Sequence, residues 1–205
     1  MTAKIDTNAV GEAALDLDHR IHELAEPARE KPLVKVLGFL SEVGDQPQLR
    51  LLCGATIAVG IWRADVRLVG TGMRMLLAHE CATLVKDMVK RRVNRRRPRS
   101  AWGKDQEKPR SGSSLDKEEN SFPSGHSAGA LAVACAFSAA YPPYRGTALL
   151  AAGSVAAAQV PRCAHYPSDV GAGLAIGAAS GTIVTAAWHL GRRSLATMLR
   201  LLSRQ

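Results

Sequence analysis

The chain has 205 residues, 46% of them apolar and only 4% aromatic. That suffices for one domain, with Ala, Leu, Val and Gly doing most of the packing. The formal charge of +9 is unevenly spread and points to anionic partners: nucleic acid, lipid headgroups or phosphate. Cys53, Cys81, Cys135 and Cys163 are widely spaced with no Cys-x-x-Cys pair, which excludes a zinc site of that type and a disulfide framework.

In chain order, the opening MTAKIDTNAVGEAALDLDHR has no basic stretch followed by an apolar core, so no cleaved signal peptide is expected. Residues 11–30 read as a polar helix. KPLVKVLGFLSEVGD, residues 31–45, reads as a short amphipathic one, with Leu33, Val36, Leu37 and Leu40 at helical spacing. Such a helix suits a membrane surface or the cover of a bundle. Gly44 and Pro47 are expected to end it. Residues 1–49 thus form a polar and amphipathic amino-terminal unit.

Five apolar stretches follow, at 51–62, 68–88, 126–141, 147–160 and 170–190. The fold class expected is all-α: an antiparallel helical bundle over residues 50–190, membrane-embedded, with about five apolar helices. The last stretch has 21 residues and no Asp, Glu, Lys or Arg, long enough to cross a hydrocarbon layer of ~30 Å. Its glycines and alanines suit close helix packing in lipid. Arg50 and Arg63 bracket only 12 residues, roughly 18 Å of helix, and Arg74, His79 and Glu80 interrupt the second stretch. A soluble bundle is the competing architecture. Residues 99–121, rich in Ser, Gly, Lys and Glu, read as a mobile exposed loop, and 191–205 as a basic tail.

Three short segments fall at one end of such a bundle if consecutive helices alternate in direction. KRRVNRRRP ends the second stretch. Its run at 90–99 carries seven basic residues in ten and taken alone reads equally well as a solvated loop. Asn94 is a plausible helix stop. Pro98 halts any helix through Arg97, leaving Lys90 and Arg97 to face an anion, Arg with bidentate geometry and Lys as a point charge. PSGH opens the third stretch. A helix start offers unpaired N–H groups to an anion, Gly125 permits close approach, and Ser124 can cap the helix or donate its hydroxyl. Taken alone, Ser124 reads as a cap and His126 as a core histidine. AHYPSDVGAG precedes the fifth stretch. Asp169 can accept the Nδ1–H of His165 and leave Nε2 free, although the pair alone reads equally as local capping.

Together these segments resemble the type 2 phosphatidic acid phosphatase superfamily, whose signature is Lys-x6-Arg-Pro, Pro-Ser-Gly-His, then Ser-Arg-x5-His-x3-Asp. Lys90, Arg97 and Pro98 match the first element. Pro123, Ser124, Gly125 and His126 match the second, and His165 and Asp169 the end of the third. The resemblance spans roughly residues 50–190. It departs at Ala158 and Gln159, which stand where the family has Ser-Arg; Arg162 lies three residues later.

The resemblance implies a metal-independent phosphohydrolase acting on a lipid phosphate or prenyl (pyro)phosphate. His165 would be the nucleophile, Asp169 its orienting carboxylate and His126 the acid and base. Lys90, Arg97, Ser124, Gly125 and either Arg162 or Gln159 would hold phosphate. No cofactor is implied. A degenerate, non-catalytic binder of phosphate or anionic lipid is the alternative. Nucleic-acid binding is disfavoured, because the basic run has little aromatic interleaving. Arg63, Arg67, Arg145, Arg192, Arg193, Arg200 and Arg204 lie at the other end. They point to a multi-pass protein of the cell membrane with its pocket on the non-cytoplasmic side.

Overall fold

Stretches rich in Ala, Leu, Met and Val, with proline only near their ends, propagate helix readily, and the chain is helical nearly throughout. The computed structural model describes residues 7–202 apart from Trp102 and Leu115. Its helices are α1 (Thr7–Ala25), α2 (Pro32–Ser41), α3 (Gln46–Trp62), α4 (Val66–Lys90), α5 (Lys104–Glu107), α6 (Gly125–Ala140), α7 (Arg145–Ala158) and α8 (Pro167–Leu202). The all-α bundle and its five apolar helices are therefore observed, as α3, α4, α6, α7 and α8.

Several boundaries differ from the sequence expectation. α2 stops at Ser41 and passes into a 3-10 turn over Glu42–Gly44. Pro47 does not end that segment. It occupies the first turn of α3, where the N–H it lacks would have had no intrahelical partner. α4 stops at Lys90, not at Asn94, which lies in a two-residue strand. α8 runs on through the tail to Leu202, since Arg, Leu and Ala are all good helix formers. Arg204, one of the arginines that bear on orientation, lies outside the described residues, as do Met1–Asp6.

α6 is the central helix. Ala128, Ala132, Val133 and Ala136 pack with Leu49 and Cys53 of α3 and with Met75, Ala78 and Ala82 of α4. Its Ala130 and Ala134 meet Ala152 and Val155 of α7. A helix packed on several sides has no place for a charge, which explains the uncharged run after His126. Glycine brings α8 close on a further side: a Cβ at Gly173 would lie 2.5 Å from the Ser124 carbonyl oxygen, and one at Gly181 would lie 2.6 Å from Cys135 Cβ. Gly177 lies midway and is as close to the Ala128 carbonyl, so three glycines spaced four apart let the two backbones touch. Of the polar residues that interrupt α4, Arg74 and His79 are buried, whereas Glu80 pairs bidentately with Arg50 of α3 at 2.7 and 2.9 Å.

Large apolar side chains point outward instead. Leu51, Ile61, Trp62, Val66, Leu77, Leu84, Leu150, Ile183 and Leu190 are all at least half exposed. Among the described residues one helical stretch, Pro167–Ser194, is long and apolar enough to cross a bilayer; α6 is apolar but shorter.

The segment 99–121, expected to be a mobile exposed loop, carries organised pieces. β1 (Val93–Asn94) pairs antiparallel with β2 (Arg110–Ser111), and 3-10 turns form at Pro98–Ser100 and Lys117–Glu119. Glu107 is buried and accepts from His19 Nδ1 at 3.1 Å and His22 Nδ1 at 2.8 Å, both on α1. Polarity of composition hid this, because the carboxylate is satisfied only by side chains far away in sequence.

Candidate active site

The alternation of helices brings the carboxyl end of α4, the amino end of α6 and the α7–α8 turn to one end of the bundle. Proline 98 starts a 3-10 turn, so the chain after β1 doubles back. Arg97 then donates to the carbonyls of Lys117 (2.8 Å) and Ala164 (3.0 Å), and its Nη1 lies 3.4 Å from His165 Nε2. The Ser124 N–H donates to the Asp169 carbonyl at 3.0 Å, tying the PSGH turn to the start of α8. Lys90 Nζ donates to the Asn120 carbonyl just before that turn. All three sequence segments therefore meet.

His165 is buried, and its ring faces two groups. An N–H of Arg97 on Nε2 requires a lone pair there and so assigns the proton to Nδ1. Nδ1 points toward Asp169 Oδ2 but at 3.7 Å, longer than the hydrogen bond expected from the sequence. The carboxylate is already engaged: Oδ1 accepts from Arg95 Nη1 at 2.7 Å, and Oδ2 accepts from the Tyr166 N–H at 2.9 Å and from the Ser121 hydroxyl. Burial lowers the His165 pKa to about 4, with Asp169 opposing that shift and Arg97 adding to it. The imidazole is neutral at pH 7. Burial likewise lowers the pKa of Arg97, assisted by the charges of Arg99 and Arg162.

Ser124 caps α6. Its Oγ accepts from the Ser127 N–H at 3.4 Å and the Ser127 hydroxyl at 2.9 Å, which leaves its own O–H to donate elsewhere. At Gly125 a Cβ would lie 3.3 Å from Lys86 Cδ. Lys86, one turn before Lys90, is buried and pairs with Asp87 at 2.7 Å. His126 has a buried Nε2 without a hydrogen-bond partner among the described residues; Glu42 Oε2 is 3.9 Å from it.

Gln159 and Arg162 do not share a helix face as their spacing suggests. α7 ends at Ala158, and both lie in the turn that follows, where Cys163 takes a left-handed φ of 51°. They converge nonetheless on one oxygen, Ser41 Oγ, from Gln159 Nε2 at 3.3 Å and Arg162 Nη1 at 2.7 Å. Gln159 also donates to the Val155 carbonyl at 3.0 Å, and Arg162 Nη2 to Glu42 Oε1 at 2.6 Å.

Five residues that the sequence reading did not single out join this cluster: Lys86, Arg95, Ser121, Glu42 and Asp18, whose Oδ2 accepts from Arg95 Nη2 at 2.8 Å. Lys86 had a signal in its spacing, since residues four apart share a helix face. Arg95 was one of seven cations in its run. Nothing local marked the other three.

A family model described as PAP2 superfamily matches residues 71–193. No curated protein matches the sequence. A solved structure similar in fold, with a TM-score of 0.58 and 23% identity over 89% of this chain and 87% of the other, is described as the first transmembrane PAP2 type phosphatidylglycerolphosphate phosphatase from Bacillus subtilis.

Proposed function

Because the chain belongs to the PAP2 superfamily, we propose that it is a membrane phosphohydrolase that cleaves a lipid phosphate or prenyl (pyro)phosphate through a phosphohistidine. The observation that carries this reading is the Arg97 guanidinium 3.4 Å from Nε2 of the buried His165, an approach that calls for a lone pair on that nitrogen. A nucleophile and a cation that can hold phosphoryl oxygen stand side by side.

In the proposed cycle His165 Nε2 attacks phosphorus in line, and the bond from phosphorus to the leaving oxygen breaks. His126 gives that oxygen its proton. Water, losing a proton to His126, then cleaves the N–P bond and frees phosphate. Lys90, Arg97, the Ser124 hydroxyl and the N–H groups at Gly125 meet the equatorial oxygens, so the chain's own cations balance the phosphate charge without a metal. The Glu42 carboxylate lies between Arg162 and His126, and groups that hold one anion can hold another. This favours Arg162, rather than Gln159, as the cation that stands in for the family's arginine.

Arg162→Ala is therefore expected to lower kcat/KM by roughly 10–150-fold, the equivalent of one hydrogen bond to a charged group at about 1.5–3 kcal/mol. Gln159→Arg is expected to gain little, because its side chain is buried against Val155 and Ser41. A large gain from Gln159→Arg with a mild Arg162→Ala would reverse the assignment.

The pH profile offers a separate test. Only unprotonated His165 can attack, and its pKa lies below the ordinary histidine value. The acid limb of kcat/KM should therefore fall near pH 4 and not near 6.5. An acid limb above pH 6 that persists in His126→Ala would contradict the assignment.

Membrane placement is supported by the inverted distribution of side-chain size, with alanine and glycine inside and large apolar groups outside, as lipid contact favours. The arginine-rich opposite end, with Arg63, Arg67, Arg145, Arg192 and Arg193, is read as cytoplasmic, and a reporter fused after Gln205 tests that. The function itself is tested by phosphate release from a panel of lipid, prenyl and soluble phosphates, using reconstituted protein with His165→Ala as control. Wild type and control that bind the panel alike, with no release from either, would identify a non-catalytic binder.

A further inference from the structure

Asp18 lies in the middle of a polar helix, far from the residues the family model matches, yet it is buried at the catalytic end. Its Oδ1 accepts from the Ser168 N–H at 2.9 Å, and its Oδ2 accepts from Arg95 Nη2 at 2.8 Å and from the Ser168 hydroxyl. Arg95 donates in turn through Nη1 to Asp169 Oδ1 at 2.7 Å and through Nε to the Glu107 carbonyl at 2.7 Å. Its guanidinium stacks 4.0 Å from the Tyr166 ring centre. The side chains of Asp18, Arg95 and Asp169 are each no more than 1% exposed. α1 is held over this group by His22, which meets Glu107 and packs edge-on against Tyr166 with ring centres 5.9 Å apart.

From this geometry we infer that Asp18 is a positioning residue for His165, acting through Arg95 and Asp169. The inference rests on the phosphohistidine reading for its effect on turnover. A guanidinium presents a planar fork that prefers to grip one carboxylate with two N–H groups. With Asp18 present, one arm of Arg95 is held on α1 and a single arm reaches Asp169. Asp169 Oδ2 then stays turned toward the imidazole. Without Asp18, the freed arm of a buried cation turns to the remaining carboxylate. Asp169 is drawn into a two-pronged pair and away from His165, and the Nδ1–H tautomer loses its support. Glu107 does not replace Asp18, because its carboxylate is occupied by His19 and His22.

The test uses the full chain in detergent micelles with 15N-labelled histidine, the His165 signals being those lost in His165→Ala. In Asp18→Asn, kcat should fall about 10²-fold, as a mispositioned reacting group predicts, with KM within threefold of wild type. The His165 15N shifts should move from the Nδ1–H pattern toward a mixture of tautomers. Removing one partner of a buried ion pair can unfold a protein. A second variant, Asp18→Leu with Arg95→Met, therefore keeps the interior filled. There Asp169 loses the single Arg95 arm on Oδ1 instead of gaining a second, its orientation toward His165 is released by that route, and the same two changes are expected. A kcat within twofold of wild type, or reduced kcat with unchanged His165 shifts, would overturn the positioning role. The nitrogen spectrum reads His165 whether or not phosphate is released. Absent turnover in wild type with a shifted tautomer in the variants would sink the phosphohydrolase reading and leave the positioning role standing.

Discussion

His165→Ala should reduce phosphate release by ~10⁴-fold or more, the scale expected when a nucleophile acting within a catalytic unit is removed. At this end of the bundle His165 Nε2 is the ring nitrogen that a guanidinium, that of Arg97, approaches to 3.4 Å. The loss should be chemical and not a failure of binding. Arg97 remains anchored by the carbonyls of Lys117 and Ala164 without the imidazole, so the cation should still hold phosphate. Competition by inorganic phosphate for a bound lipid phosphate would show that the variant retains its pocket. Acid-labile label from a ³²P substrate should appear on quenched wild type and vanish in the variant. Turnover within tenfold of wild type would refute the mechanism.

His126→Ala should produce the second large effect, and its signature is dependence on the leaving group. General acid catalysis contributes typically ~10²–10⁴-fold, and it matters most where the departing oxygen is strongly basic. Alkyl phosphates should lose that full factor. An activated aryl phosphate should phosphorylate His165 at nearly the wild-type rate, then stall, because the same residue deprotonates the attacking water. A burst of phenol release followed by a slow steady state is the expected trace. His126 is suited to this by position, on the first turn of α6 with a buried Nε2 that has no hydrogen-bond partner among the described residues. Equal losses for alkyl and aryl substrates would remove it from the proton-transfer role.

The two histidines were singled out through a family resemblance carried by motif spacing, and the fold brings both to one end of the bundle for a physical reason. A phosphate site assembled at the ends of helices needs its cations, its helix start and its His–Asp pair at fixed short offsets from those ends. Such offsets are local and survive in a single sequence. The long-range partners follow no such rule. Asp18 sits among ordinary helix-surface residues in DLDHR, and only the docking of α1 on α8 makes it a buried counter-ion. Glu42 follows an amphipathic helix and carries no local mark that sets it apart; only the approach of the α7–α8 turn gives it Arg162 to pair with. Arg95 shares its composition with six neighbours in the run and differs from them by burial alone.

Several helix boundaries were not legible in the sequence, but the existence and apolar character of the five bundle helices, the three motif segments and the shared end of the bundle at which those segments meet were. These follow from periodicity, proline placement and helix ends, which act within a few residues. The remaining features arise from packing across helix interfaces. That packing set a 3.7 Å gap between His165 and Asp169, placed Gln159 against Ser41 with Arg162 beside it, and ordered the segment around Glu107. It also linked the amino-terminal helix to the site through Arg95. Each of these depends on a buried charge or amide finding a partner across a helix interface. Burial is costly without a partner, but which partner is near is settled by the packing of faces, to which local sequence pattern carries no index.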